Sequence, residues 1–124
     1  MQDKQDELLI RNLIEVFNER DATKRLGIVQ ELYRDNATFH EPDASFQGHE
    51  AINNRASEFL GTLPPNAHFT PRGEPNTNHN LARLSWTLAT DEGLMMASGM
   101  DIAIVEGGQI ATLYLFIDPP LAGQ

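Results

Sequence analysis

The sequence predicts a single α+β domain, spanning residues 1–124, of a cone-shaped kind. Three N-terminal helices pack on a curved antiparallel or mixed β-sheet that encloses a pocket. Three observations predict this. Apolar residues recur at helical spacing in the first half of the chain, interrupted by one short strand. Strand-like alternation fills the second half. No β-α-β alternation links the two halves, which argues against a parallel α/β fold.

Residues 3–19 carry Leu8, Leu9, Asn12, Leu13, Val16 and Phe17 at steps of three and four, the pattern of a helix with one apolar side. Asp3 is the expected N-cap, with Asp6 and Glu7 in the first turn. Asn18 to Asp21 ends the helix in a polar turn. A second helix, from about Thr23 to Tyr33, places Leu26, Val29, Gln30 and Tyr33 on one side, with Thr23 as its cap. Arg34-Asp35-Asn36 reads as a turn. Ala37 to Glu41 mixes β-branched and aromatic residues and is stopped by Pro42, so it reads as a strand. Residues 42–49 read as a loop containing Gly48. His49 to Leu60 forms the third helix, with Ile52, Ala56, Phe59 and Leu60 as its apolar side and Gly61 as its C-cap glycine.

Everything after Pro64-Pro65 reads as strand and turn. A strand from about Ala67 to Gly73 contains Pro71, which places it at an edge or a bulge. Asn76-Thr77-Asn78 reads as a turn. Leu81 to Ala89 alternates, with Leu84, Trp86 and Leu88 opposite Arg83, Ser85 and Thr87. Asp91-Glu92-Gly93 and Glu106-Gly107-Gly108 read as hairpin turns around a long strand from Leu94 to Val105. Gln109 to Ile117 is the last strand, and Asp118-Pro119-Pro120 closes the ordered chain.

Composition narrows the function. The net charge of −9 has the wrong sign for a nucleic-acid surface, since phosphate contacts need clustered Lys and Arg. Hydrophobic residues make up 40%, which argues against disorder. The absence of cysteine excludes disulfides and thiolate chemistry. Residues 1–7 have no apolar core and do not read as a signal peptide. No apolar run approaches the about 18 residues of a membrane-spanning helix. A cytoplasmic protein is the expectation, with no nucleic-acid or membrane partner.

Three stretches in order carry a resemblance: Leu32-Tyr-Arg-Asp-Asn-Ala-Thr-Phe-His-Glu-Pro42, Gln47-Gly-His-Glu-Ala-Ile52 and Asp101-Ile-Ala-Ile-Val-Glu-Gly-Gly-Gln-Ile110. Over about residues 6 to 118 the chain resembles the nuclear transport factor 2-like superfamily, and within it SnoaL-like proteins and ketosteroid isomerase. The resemblance implies a fold that serves isomerases, cyclases, epoxide hydrolases and non-enzymatic binders, so it does not by itself fix an activity. It implies that Glu41, just before Pro42, stands where ketosteroid isomerases hold their general base. It implies that Asp101 stands where they hold a protonated acid that donates to the oxyanion. That enzyme is a standard worked case of a carboxylic acid kept neutral. The tyrosine those enzymes carry on the first helix is replaced by Leu13. The Asp, Arg and second Asp of the epoxide hydrolases are not matched: Arg83 is followed two later by Ser85, and Leu115 stands on the last strand.

Residue by residue, alternatives remain. Asp101 shares its face with the small residues Ala97, Gly99 and Ala103, which fits an acid facing a ligand cavity; it reads equally as an exposed acid or one tied to a turn amide. Glu41 points inward if Phe39 is core, with His40 turned out; its other reading is a solvated loop residue. His40, Glu41, Asp43 and His49 surround one loop without metal-ligand spacing, and no metal or cofactor is expected. The residues expected to line the pocket are Leu13, Phe17, Tyr33, Phe39, Phe59, Trp86, Ala97, Gly99, Tyr114 and Phe116. The expected ligand is a small apolar molecule. Met96, Met100, Ile102 and Ile104 make the opposite face of the long strand apolar as well, so a second copy of the chain is expected to cover it.

The expected function is a cofactor-free isomerase or cyclase using an acid/base carboxylate. A non-catalytic binding or dimerisation module of the same fold is the alternative.

Overall fold

The computed structural model describes residues 4–119. Helix α1 (Lys4–Arg11) runs into a π-helical segment (Asn12–Val16), followed by α2 (Ala22–Leu32), β1 (Tyr33–His40), β2 (Ser45–Gln47) and α3 (His49–Leu60). Five strands complete the chain: β3 (Ala67–Pro71), β4 (Asn76–Asn78), β5 (Leu81–Thr90), β6 (Met95–Glu106) and β7 (Gln109–Ile117). The strands form one sheet in the order β2-β1-β7-β6-β5-β3, with β4 paired to β5. Every pairing is antiparallel except β1 with β7, so the sheet is mixed. The helices cover its concave face, and this is an α+β cone with a curved, unclosed sheet.

The core forms where helical and strand patterns meet. Leu9, Leu13 and Val16 from the first helical stretch, Val29 and Leu32 from α2, and Ile52 and Ala56 from α3 pack on Phe39, Leu84, Ala103, Ile110 and Leu113 of the sheet. Arg25 is the largest fully buried side chain. Its guanidinium donates to Asn53 Oδ1 at 2.7 Å, to the Glu19 and Asn53 carbonyls, and to Ser57 Oγ. Four hydrogen bonds thus compensate the charge and cross-link α2 to α3, which is the condition for burying it.

Several local expectations are corrected. Asp21 caps α2, its carboxylate accepting from the Thr23 and Lys24 amides at 3.0 and 3.3 Å; the aspartate side chain is placed to take both orphan donors, whereas Thr23 lies inside the helix. Arg34 to Asn36 form no turn but a bulged start of β1, where the pairing with β7 shifts register between Tyr33 and Thr38. Ser45 to Gln47, expected as loop, fold back on β1 as β2. Asn76 to Asn78 pair with β5, and the turn falls later, at His79, whose φ of 54° is left-handed. Gly61 ends α3 with φ −65°, a helical conformation that needs no glycine. The first helix is not α-helical throughout: the Phe17 amide bonds the Asn12 carbonyl at 3.1 Å, five residues back. The predicted cap Asp3 lies outside the described residues. Pro71 does sit on an edge strand, β3.

Candidate functional site

Alternation along β6 turns Ala97, Gly99, Asp101 and Ala103 toward the helices. Asp101 lies between Leu84 of β5 and Leu115 of β7 and is 4% exposed. The Trp86 indole Nε1 donates to its Oδ1 at 3.1 Å. Burial removes water from the carboxylate and raises its pKa to about 7; the indole hydrogen bond favours the ionised form and opposes that rise. Near neutrality, Asp101 is therefore available as a carboxylic acid that can donate a hydrogen bond.

Glu41 follows the last residue of β1 and points the same way as buried Phe39. Arg55 of α3 donates from Nε to Glu41 Oε2 at 2.6 Å. This bond is the main reason the Arg55 pKa is raised. The guanidinium also lies over the Phe46 ring, 5.6 Å from its centroid. With Oε2 so engaged, Oε1 is the oxygen left for a ligand.

One cavity of about 130 Å³ joins these groups: Glu41, Arg55 and Asp101 all line it. Its walls are otherwise apolar. Leu13 and Phe17 come from the π-helical segment and its C-terminal end, Phe39 from β1 and Phe59 from α3. Phe69, Trp86, Ala97, Leu113, Leu115 and Ile117 come from the sheet. Phe69 is the hub of the aromatic wall, meeting Trp86 edge-on at 5.2 Å, Phe59 at 5.9 Å and Phe17 at 6.2 Å. Its backbone is pinned by Asn18, which donates to the Phe69 carbonyl at 2.9 Å and accepts from the Phe69 amide at 2.7 Å.

Leu13, Phe17, Phe39, Phe59, Trp86 and Ala97 thus lie around one space with Glu41 and Asp101. Four other expected residues do not line it. Tyr114 and Phe116 stand on the outer face of the sheet, because Leu115, directly across from Asp101, takes the inward position on β7. Tyr33 is buried beneath the helices, and its hydroxyl donates to Asn12 Oδ1. Burial and the negative charge of Asp101 keep the Tyr33 phenol well above its ordinary pKa. Gly99 faces inward but is covered: a Cβ there would lie 2.6 Å from Trp86 Cζ2. Its missing side chain makes room for the indole.

Five lining residues were missed: Arg55, Phe69, Leu113, Leu115 and Ile117. Signals for them existed. Arg55 is three residues after Ile52 and four before Phe59 on the apolar side of α3. Leu113, Leu115 and Ile117 share the period-2 face set by Asp101, and the aromatic residues between them face the other way. His40 stacks on Tyr114 at 4.8 Å on the outer face and bonds Ser45 Oγ, so it turns away from Glu41. Among the described residues, no group of three His, Asp or Glu is placed to hold a metal ion. No helix among them is long and apolar enough to cross a membrane.

The SnoaL-like domain model matches residues 10–113. The chain belongs to the SnoaL-like family. Three solved structures illustrate how far the likeness extends. A protein from Agrobacterium tumefaciens, assigned as an isomerase of the SnoaL-like family, superposes with a TM-score of 0.85 at 23% identity, covering 94% of this chain and 100% of the other. A protein from Jannaschia sp. CCS1, assigned as a SnoaL-like polyketide cyclase, gives 0.77 at 14% identity, covering 95% and 92%. A protein from Kribbella flavida, assigned as a ketosteroid isomerase, gives 0.73 at 13% identity, covering 98% and 82%. At such identities the likeness to this SnoaL-like protein is one of fold. No curated protein matches the chain in sequence.

Proposed function

We propose that this SnoaL-like protein is a cofactor-free isomerase acting on a small, apolar, carbonyl-bearing molecule. The observation that carries the reading is that Glu41 and buried Asp101 line the same apolar cavity. Asp101, as the neutral acid, donates a hydrogen bond to the substrate carbonyl oxygen. Glu41 takes a proton from the carbon α to that carbonyl, and the electron pair of the broken C–H bond moves onto the oxygen as the enolate forms. Where the substrate carries a β,γ double bond, the enolate is a dienolate; return of the same proton to its γ carbon moves the double bond into conjugation with the carbonyl, completes the isomerisation and regenerates the Glu41 carboxylate. The apolar wall keeps water from the enolate, so the Asp101 hydrogen bond acts at low dielectric.

A cyclase that begins with the same proton abstraction uses the same two groups. A second copy of the chain, covering the outer sheet face around Met96, Tyr114 and Phe116, is part of the proposal; these side chains are 41%, 39% and 56% exposed.

One observation favours the alternative of a non-catalytic binder. Leu13 lines the cavity where the resemblance to ketosteroid isomerase calls for a second oxyanion donor. The experiment is to screen small β,γ-unsaturated ketones for isomerisation to the α,β isomers with the wild type, Glu41→Gln and Asp101→Leu. General base catalysis predicts a loss of about 10²- to 10⁴-fold in turnover for Glu41→Gln. Turnover that survives Glu41→Gln unchanged sinks the isomerase reading, and a ligand recovered chemically intact after long incubation supports the binder.

A further inference from the structure

Given that the cavity is the substrate site, as proposed above, we infer that it is built for a substrate of about one six-membered ring, or an equally short chain, and excludes fused polycyclic molecules. Size is the first ground. The cavity measures about 130 Å³. An engineered apolar cavity of about 150 Å³ in another protein is filled by a single benzene.

The walls are the second ground, because they hold that size. Trp86 cannot retreat toward β6: its ring already occupies the space above Gly99, and Trp86 Nε1 is tied to Asp101. Phe69 cannot retreat either, since Asn18 holds both polar atoms of its backbone and Phe17, Phe59 and Trp86 pack around its ring. Close-packed aromatic walls of this kind resist displacement, because moving one ring moves its neighbours.

Polarity sets the orientation. Exposure rises from Asp101 at 4% to the side chains of Glu41 at 15% and Arg55 at 29%, and Ile117 at the end of β7 is 52% exposed, so the cavity is closed at Asp101 and open toward Arg55 and Ile117. A ring seated in the cavity with its carbonyl on Asp101 turns the edge that carries its α and γ carbons toward Glu41. Any polar substituent on that edge meets the Arg55 guanidinium, whose Nη atoms are not used in the bond to Glu41.

The test is calorimetric titration at pH 6 of three phenols that mimic an enolate: phenol, 2-naphthol and a tetracyclic steroid phenol. The wild type is expected to bind phenol, to bind 2-naphthol no more tightly despite its larger apolar area, and to bind the tetracycle at least about tenfold more weakly than phenol. Phe69→Ala, which opens the wall, is expected to gain about tenfold for 2-naphthol. Ala97→Leu, which adds bulk on the cavity floor, is expected to lose phenol binding and serves if Phe69→Ala does not fold.

A tetracycle bound as tightly as phenol, or no binding of any of the three, overturns the inference. Asp101→Leu separates it from the proposed function. Size-ranked binding that survives Asp101→Leu leaves the size limit standing and removes the oxyanion donor. Tight, Asp101-dependent binding of the tetracycle does the reverse.

Discussion

The Trp86 indole nitrogen lies 3.1 Å from Asp101 Oδ1, and it is the hydrogen bond that offsets part of the burial penalty on that carboxyl. The pair comes from neighbouring strands two register positions apart, Trp86 facing Gly99 and Asp101 facing Leu84. An indole spans that offset only because Gly99 carries no side chain.

The first prediction concerns pH. Asp101 titrates near pH 7 in the folded protein and near 3.8 in the unfolded chain. The folded state therefore holds its proton while the unfolded state releases it. The contribution of Asp101 to stability is greatest below about pH 4, falls as pH rises from about 4 to 7 and is constant above that; the full loss is at most on the order of 4 kcal/mol. Urea denaturation of the wild type and Asp101→Asn across pH 4 to 8 checks it, the variant showing the flatter profile. Equal slopes would mean that Asp101 is not buried in solution.

Ligand binding follows the same proton. Phenol binding that uses neutral Asp101 weakens as pH rises through about 7. Trp86→Phe removes the hydrogen bond that favours the carboxylate, so its midpoint moves upward. Titration of both proteins over pH 5 to 9 reads this directly, and an unmoved midpoint would show that the indole does not tune the acid.

Gly99→Ala tests the close approach. The new Cβ would lie 2.1 Å from the Phe116 carbonyl oxygen and 2.6 Å from Trp86 Cζ2. The first contact is with backbone and cannot be relieved by a rotamer change. A loss of more than about 2 kcal/mol of stability is expected, measured by denaturant unfolding.

Arg55 and Glu41 form a partly buried ion pair whose value a double-mutant cycle isolates. Arg55→Leu, Glu41→Gln and the double variant are expected to give a coupling of about 1 kcal/mol, reduced in high salt. A coupling near zero would reduce Arg55 to a bystander at the rim.

The outer sheet face gives the last prediction. If a second copy covers it, light scattering at micromolar concentration finds a dimer, and Phe116→Asp, which buries a charge in that interface, yields a monomer. A monomeric wild type would refute the proposed partner.

The architecture was legible in the sequence because periodicity reports which side of an element is buried. His49 to Leu60 is found as the third helix with its predicted bounds, and Leu84, Trp86 and Leu88 are all buried. The turn at Glu106 to Gly108 likewise follows from glycines that adopt φ 59° and 79°. Local signals failed where pairing overrode them. Asn76 to Asn78 have turn-forming composition but are drawn into a strand, because β5 offers their backbone groups partners; Arg34 to Asn36 bulge from β1 between the pairings of Tyr33 and Thr38 with β7.

For the site, the sequence by itself determined the residue types and the inward face of β6: an acid among small residues, an acid after Phe39, and aromatic residues on elements that had to meet. Only the tertiary structure decided that Glu41 and Asp101 line one cavity, that Arg55 from α3 closes on Glu41, and that Leu115 rather than Tyr114 faces Asp101. Those facts depend on the register between β6 and β7 and on the seat of α3 on the sheet. Both are set by contacts between residues far apart in the chain, which no local pattern encodes.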